Sequence, residues 1–130
     1  MDDEQAPNFL ITLNNVSLTL PSDAGPVEIL REIDLNISRG ETVGIVGPSG
    51  SGKSTLLHAA GLLEKPNAGE VFINGRECLK LPDDERTAIR RETIGVVYQF
   101  HHLLGEFSAL ENVCMPLLIA GMDTAMSTKK

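Results

Sequence analysis

A glycine-rich loop constrains this sequence more than any other feature. It fits the pattern G-x-x-x-x-G-K-[ST] at every fixed position, with the residues Gly47-Pro48-Ser49-Gly50-Ser51-Gly52-Lys53-Ser54. Residues 42–46 before it form a short apolar run, which is typical of a strand buried in a parallel sheet. Residues 53–63 after it are rich in leucine and alanine and predict a helix. This strand–loop–helix setting disfavours a chance match to the pattern.

The residue types in the loop are suited to binding phosphate groups. Glycine tolerates positive φ angles and lets the backbone approach a ligand closely. Successive N–H groups at the N-terminus of a helix attract anions. Lys53 adds a cation for the outer phosphates of a nucleotide, and Ser54 offers a hydroxyl oxygen to Mg2+. The pattern alone does not separate ATP from GTP, or a transporter ATPase from a kinase.

Size, charge and cysteine spacing argue against several other classes of protein. The 130 residues are enough for one ordinary domain, and the net charge of −7 with a pI near 4.8 argues against a nucleic-acid partner. The acidic N-terminus, residues 1–5, does not resemble a secretory signal, and no apolar stretch approaches the roughly 18 to 20 residues of a membrane-spanning helix. Cys78 and Cys114 match no zinc spacing, so we expect buried or partly buried thiols in a reducing cytoplasm.

The N-terminal part predicts antiparallel strands. Apolar residues alternate from Phe9 to Leu20 with a break at Asn14-Asn15, and they alternate again over residues 27–30 and 33–37. Arg39-Gly40-Glu41 predicts a tight turn.

The rest of the chain predicts an α/β core. Residues 70–73 form a strand followed by an Asn74-Gly75 turn, and residues 94–98 form a second buried strand. The acids after Pro82 open a helix to about Arg91, and Ser108 opens another by a capping box, interrupted at Pro116. The expected fold class is α/β: a core with parallel strands plus an N-terminal antiparallel β-subdomain.

Several motifs resemble those of the ATP-binding subunits of ABC transporters. Gly47 to Thr55 resembles the Walker A motif of that family, and Tyr98-Gln99 after a buried strand looks like its Q-loop. Gly69-Glu70-Val71, with Asn74-Gly75 downstream, also fits the family. The resemblance implies a P-loop NTPase fold of the ABC ATPase type, with ATP and Mg2+ as cofactors. It implies that Gly47 to Thr55 bind ATP, that Ser54 and Gln99 contact Mg2+, and that Gln99 acts catalytically on the attacking water.

One segment resembles a particular group within this family. Tyr98 to Leu118 is similar to the ATP-binding subunits of lipoprotein-releasing (Lol) transporters, although Gly105 stands where proline is expected. This implies a subunit that binds ATP–Mg2+ to power lipoprotein release, as a homodimer bound to integral membrane subunits on the cytoplasmic face of the inner membrane. Related export ATPases share much of this segment, so a related export system is the alternative.

Two departures from the family pattern bear on function. The loop from Leu20 to Val27 lacks the aromatic residue that stacks on adenine in the family, so base contacts would fall to Leu20 or Val27. The Leu-Ser-Gly-Gly signature, the Walker B strand and the switch histidine are absent. We therefore expect residues 1–130 to be the N-terminal part of a single nucleotide-binding domain, either of a longer ATPase or of a truncated, non-hydrolytic remnant. A GTPase or small-molecule kinase is disfavoured because residues 70–113 fit the ABC pattern.

Other polar residues have simpler interpretations. His101 and His102 are adjacent and make a poor metal pair. The resemblance implies a loop facing a membrane subunit, and contact with that subunit is preferred over mere exposure. His58 lies among leucine and alanine on the helix after the loop and is expected to pack there. The acids of residues 83–85 are expected to stabilise a helix start rather than bind metal.

Overall fold

A computed structural model describes residues 9–123 and divides the chain into two compact units, one up to Arg86 and one from Thr87 onward. The first unit contains a four-stranded antiparallel sheet in the order β2-β1-β3-β4. Its strands are β1 (Phe9–Leu20), β2 (Val27–Ser38), β3 (Ala68–Ile73) and β4 (Arg76–Glu77), and helix α1 spans Lys53–Ala60. The antiparallel β-subdomain predicted from alternation is confirmed.

The core of this unit follows the apolar alternation of its central strand. Leu13, Val16 and Leu18 on β1 are at most 1% exposed, and Val71 on β3 is fully buried. The residues between Leu13 and Val16 are the predicted break. There the register of β1 shifts against both neighbouring strands, Asn15 adopts a φ of 50°, and its N–H donates to Asp34 Oδ1 at 2.7 Å. The strand therefore continues through a bulge, and the side chains beyond it still reach the core.

The short connections follow the turn residues. Asn74 and Gly75 have φ angles of 49° and 77° and join β3 to β4, as a two-residue hairpin turn requires. Gly40, with a φ of 78°, lies in the predicted turn after β2. Helix α1 ends at Ala60, earlier than the predicted Leu63, because Leu62 takes a left-handed φ of 59°.

Two predicted strands are absent among the described residues. Residues 42–46 and 94–98 have no regular secondary structure, and Val46 and Val97 are 93% and 100% exposed. The expectation of two buried parallel strands is wrong for these segments. The physical reason is that a parallel strand needs a hydrogen-bonded neighbour brought in by a crossover, and neither segment pairs with any strand in residues 9–123.

Two further helices complete the secondary structure of residues 9–123. The unit boundary falls within α2 (Asp83–Thr93), whose first turn carries the predicted acids Asp83, Asp84 and Glu85. Helix α3 (Ala109–Ile119) begins at the predicted cap Ser108. The expected interruption at Pro116 is wrong: the proline lies inside the helix, and its carbonyl accepts the Ala120 N–H at 3.1 Å, so hydrogen bonding resumes in the next turn. Within residues 9–123 no helix is both long and apolar enough to cross a membrane.

Candidate phosphate-binding site

The glycine-rich loop connects β2 to α1 within the first unit. Gly50 and Gly52 have φ angles of 77° and 94°, which side chains with a Cβ rarely adopt. The Ser51 N–H donates to the Pro48 carbonyl at 3.2 Å and closes a turn inside the loop. Gly52 is then the N-cap of α1, and its carbonyl accepts the Leu56 N–H at 2.9 Å. The sequence pattern thus fixes a tight loop that leads directly into a helix.

Lys53 folds back over this loop. Its Nζ donates to the carbonyl oxygens of Gly47 at 2.8 Å and Pro48 at 2.7 Å, with a longer contact of 3.5 Å to Ser51 Oγ. An ammonium group has three N–H donors, and each of these three oxygen atoms can accept one of them. These contacts therefore fix the position of the Lys53 side chain. The cation is held against the loop, and its side chain lines the cavity that a phosphate would enter.

The start of α1 presents unsatisfied donors. The first N–H groups of any α-helix have no carbonyl acceptor within the helix, and here these belong to Lys53, Ser54 and Thr55. The N-cap is glycine, so no side chain caps them, and the first turn carries no acidic residue. The helix dipole adds partial positive charge at the same place. This end of the helix is therefore complementary to an anion.

A cavity opens in front of the loop. It has a volume of about 550 Å³, within the range usual for small-molecule sites. Its lining consists of glycine backbone, hydroxyl groups, one lysine and one isoleucine: Ile29, Ser49, Gly50, Gly52, Lys53, Ser54 and Thr55. The predicted loop residues from Ser49 to Thr55, apart from Ser51, therefore face one common space.

The lining fits a phosphate group with a magnesium ion. The donors named above suit phosphate oxygens, and the hydroxyl of Ser54, an exposed residue, is an oxygen ligand of the kind that Mg2+ accepts. No carboxylate lines the cavity, and residues 9–123 contain no cluster of three or more His, Cys, Asp or Glu side chains that could hold a metal. A magnesium ion here would therefore take most of its ligands from phosphate oxygens and water.

Ile29 is the lining residue that the sequence analysis missed. It lies on β2, and a Cβ added at Gly52 would stand 3.0 Å from its Cγ2 and 3.2 Å from its carbonyl oxygen. The alternation of β2 could have placed Ile29 on a face of the sheet, but not against a loop so distant in the sequence. Leu20 and Val27, the expected base contacts, pair with each other across β1 and β2 and do not line the cavity.

Gln99 belongs to the second unit. It is an exposed residue in an irregular segment, and its catalytic and metal-binding roles stay predictions. Nearby, the rings of Tyr98 and His102 meet edge to face at 4.9 Å, and His101 Nδ1 accepts the Leu103 N–H at 3.0 Å. These contacts fix the two histidines in different local roles. His58, expected to pack on α1, is instead exposed.

The comparisons identify the family. The model of the ABC transporter family matches residues 30–130, most of the chain and all of the loop described above. The chain belongs to the ABC transporter ATP-binding family. Its expected fold class agrees with solved cassettes: a dimeric structure of the ATP-binding cassette MJ0796 bound to ADP and Pi is 43% identical, with a TM-score of 0.84 over 92% of this chain and 53% of that one. A second dimeric structure of MJ0796, a bacterial ABC transporter cassette, gives the same values.

Relatives of known name point to one transport system. The lipoprotein-releasing system ATP-binding protein LolD of Hyphomonas neptunium is 54% identical over 93% of this chain and 53% of its own length. LolD of Maricaulis maris is 54% identical over 95% and 54%, and LolD 2 of Caulobacter vibrioides is 57% identical over 86% and 49%. The chain therefore spans about half the length of the relatives it matches.

Proposed function

We propose that this chain binds ATP with Mg2+ as part of the ATP-binding subunit of a lipoprotein-releasing ABC transporter. The observation that carries the proposal is the Lys53 side chain, which the Gly47 and Pro48 carbonyls hold on the loop and which lines one cavity with Ser54 and Thr55 at the uncapped start of α1. The names of the LolD relatives support lipoprotein release as the process that the subunit serves.

Different groups of the site would contact the phosphates and the metal ion. The backbone N–H groups of the loop and of the first turn of α1 would hold phosphate oxygens, and Lys53 would neutralise their charge. Ser54 would be the protein's hydroxyl ligand to Mg2+, which supplies charge neutralisation to the phosphate chain when bound. We propose Gln99 as a second contact to the metal and the attacking water. We also propose a dimer that binds integral membrane subunits at the cytoplasmic face of the inner membrane.

The proposal is tested first by titrating the 130-residue chain with ATP in the presence of Mg2+. Replacing Lys53 by alanine removes charge-assisted hydrogen bonds worth about 1.5 to 3 kcal/mol, so affinity should fall by about 10- to 150-fold. Lys65→Ala, which removes an equal charge from an exposed residue outside the cavity, is the control and should bind normally. Equal affinity in all three proteins would refute the assignment of the loop.

The role of Gln99 needs the longer subunit assembled with its membrane partners. There Gln99→Ala should slow ATP hydrolysis while leaving ATP affinity within about twofold, because the loop that binds the phosphates is unchanged. A hydrolysis rate equal to the parent would remove Gln99 from the site. A loss of ATP binding without a change in rate at saturation would assign it to binding instead.

A further inference from the structure

Strand β2 contains a bulge opposite the buried part of β1. Val16 of β1 pairs with Ile33 of β2. Two residues further along β1, Leu18 pairs with Leu30, which lies three residues back along β2. One strand with an extra residue opposite its partner forms a β-bulge, and a bulge changes the face to which the next side chains point. Alternation alone would place Leu30 and Ile33 on opposite faces, so the bulge is what brings Leu30 into the core beside Leu18.

The side chain of Ser17 holds this bulge. Ser17 lies on β1 between the two pairs, and its hydroxyl oxygen accepts the Glu32 N–H at 2.9 Å. Glu32 has a φ of 47°, a left-handed conformation that is uncommon for a residue with a side chain and persists only where its surroundings hold it. The Ser17 carbonyl accepts the Asn67 N–H at 2.9 Å, so Ser17 is also anchored to the residue before β3.

The residues on the other side of the bulge contact the start of α1. A Cβ added at Gly52 would stand 3.0 Å from Ile29 Cγ2 and 3.7 Å from Leu30 Cδ2. Leu30 is 3% exposed, so core packing fixes its position, and Ile29 lines the cavity. Gly52 is the N-cap of α1 and directly precedes Lys53. The bulge therefore sets the position of two side chains against which the end of the glycine-rich loop packs.

We propose that Ser17 is a positioning residue for phosphate binding: its hydroxyl holds the β2 bulge, and the bulge, through Ile29 and Leu30, holds the glycine-rich loop in its binding conformation. This inference rests on the proposed function and deepens it, because it makes affinity at the loop depend on a residue outside the cavity. Without the hydroxyl, the Glu32 N–H loses its acceptor, and the bulge exchanges with arrangements that no longer support the loop. Apparent affinity then falls with the fraction of molecules in the binding conformation.

The first experiment titrates the 130-residue chain with ATP–Mg2+ and, separately, with inorganic tripolyphosphate. Ser17→Ala should weaken both ligands by about three- to tenfold, since the net contribution of one hydrogen bond limits the effect. Ser17→Thr keeps the hydroxyl on a residue that suits a strand, and its affinities should lie within about twofold of the parent's. A loss below about threefold in Ser17→Ala, or an equal loss in Ser17→Thr, would overturn the inference. Failure of the parent to bind either ligand would instead overturn the proposed function.

A matched variant separates positioning from a loss of stability. Asp34 Oδ1 accepts the Asn15 N–H at 2.7 Å at the bulge in β1, and neither residue lines the cavity. Hydrogen bonds to charged groups contribute more than neutral ones, so Asp34→Ala should lower the free energy of unfolding in denaturant at least as much as Ser17→Ala. It should nevertheless keep the parent's affinity for both ligands. If Asp34→Ala loses as much affinity as Ser17→Ala, lower stability explains both losses and Ser17 has no positioning role.

A second measurement needs no variant, and it decides the question even if Ser17→Ala does not fold. Coupling between two sites is reciprocal, so a bulge that supports ligand binding must itself be stabilised by bound ligand. In the parent, saturating ATP–Mg2+ should slow amide hydrogen exchange of the Glu32 N–H by about three- to tenfold, the same coupling factor, and change that of the Asn15 N–H by less than about twofold. Equal slowing at both amides, or none at Glu32, would overturn the inference.

Discussion

Gly52 satisfies two separate requirements at the residue scale. Its φ of 94° starts α1 from a left-handed conformation, and a Cβ there would come within 3.0 Å of Ile29 Cγ2 and 3.2 Å of the Ile29 carbonyl oxygen. We predict that Gly52→Ala lowers affinity for ATP–Mg2+ by more than about tenfold, because relieving the backbone strain, of order 1 to 3 kcal/mol, moves the loop. The measurement is the same titration used for Lys53.

A nearby glycine provides the control for this prediction. Gly44 precedes the loop, has no positive φ, and a Cβ added to it would meet nothing within 4 Å. Gly44→Ala should therefore bind ATP–Mg2+ as the parent does. If Gly52→Ala also keeps the parent's affinity, the left-handed conformation is not needed for phosphate binding.

The sequence predicts those features of the site that depend on residues close together in the chain, and misses those that depend on residues far apart in it. The loop and its role as the start of α1 were predictable because a local pattern of glycine, lysine and serine fixes them. The position of Ile29 was not, because its approach to Gly52 depends on how β2 and the loop pack together. The expectation that Leu20 or Val27 contacts a base stays a prediction: alternation placed them on strands, but could not show that they pair with each other and lie outside this cavity.

At the element scale, α3 shows what a few side chains can fix locally. Asn112 Nδ2 donates to the carbonyls of Leu104, Phe107 and Ser108 at 3.0–3.1 Å, and its Oδ1 accepts the Leu104 N–H at 2.8 Å. One side chain thus ties the preceding loop to the first turn of the helix. We predict that Asn112→Ala destabilises this loop by about 1 to 3 kcal/mol, since several backbone groups lose their partner.

Amide hydrogen exchange checks this prediction. The Leu104 N–H should exchange faster in Asn112→Ala than in the parent. Asn112→Asp is the matched variant, because it keeps the oxygen that accepts this N–H but loses the two amide hydrogens that the three carbonyls share. It should protect Leu104 more than alanine does. Unchanged exchange in both variants would show that other interactions hold the loop.

The cap of α3 also predicts a pH dependence. Glu111 Oε2 accepts from the Ser108 N–H at 2.7 Å and from its hydroxyl at 2.8 Å, and these two hydrogen bonds to the backbone and the side chain of Ser108 lower the pKa of Glu111 below its usual value. A lowered pKa in the folded state means that the carboxylate stabilises the helix above the ordinary pKa of glutamate. That stabilisation is lost as the pH falls through the lowered value.

The expected outcome is that protection of the α3 amides declines as the pH is lowered through this acidic range. Glu111→Gln should flatten the decline, because the amide does not titrate. Glu106 is an exposed glutamate in the loop before the helix, and Glu106→Gln should leave the decline in place. An unaltered pH profile in Glu111→Gln would show that protonation of Glu111 does not affect the stability of the helix. Ser108→Ala should cost about 1 kcal/mol at neutral pH, as other N-caps do.

The contrast between confirmed and failed elements has a physical basis. The Asn74-Gly75 hairpin and the Ser108 cap depend on residues within a few positions of each other, so the sequence predicts them correctly. Residues 42–46 and 94–98 have the composition of buried strands but no partner in residues 9–123, and Val97 is fully exposed. Apolar composition indicates that a segment could form a buried strand. The segment becomes a strand only when another strand, far away in the sequence, forms hydrogen bonds with it.

At the scale of the whole molecule, burial is uneven between the two units. Among the described residues, every buried hydrophobic side chain except Cys114 lies in the first unit, including the core of β1 and β3. Each unit also contains one cysteine, Cys78 in the first and Cys114 in the second, and both are buried outside any disulfide. Thiol reactivity can therefore report the opening of each unit separately.

We predict that Cys114 reacts with a thiol reagent faster than Cys78. A buried thiol reacts only when its surroundings open, and opening costs less where few apolar side chains are packed. Cys78→Ser leaves Cys114 as the only reporter, and Cys114→Ser leaves Cys78. Burial raises the pKa of Cys78, so each rate is divided by the rate of the same variant in denaturant to remove differences in intrinsic reactivity. Equal protection of both thiols would mean that the two units open together as one cooperative structure, and a slower Cys114 would place the more stable packing in the second unit.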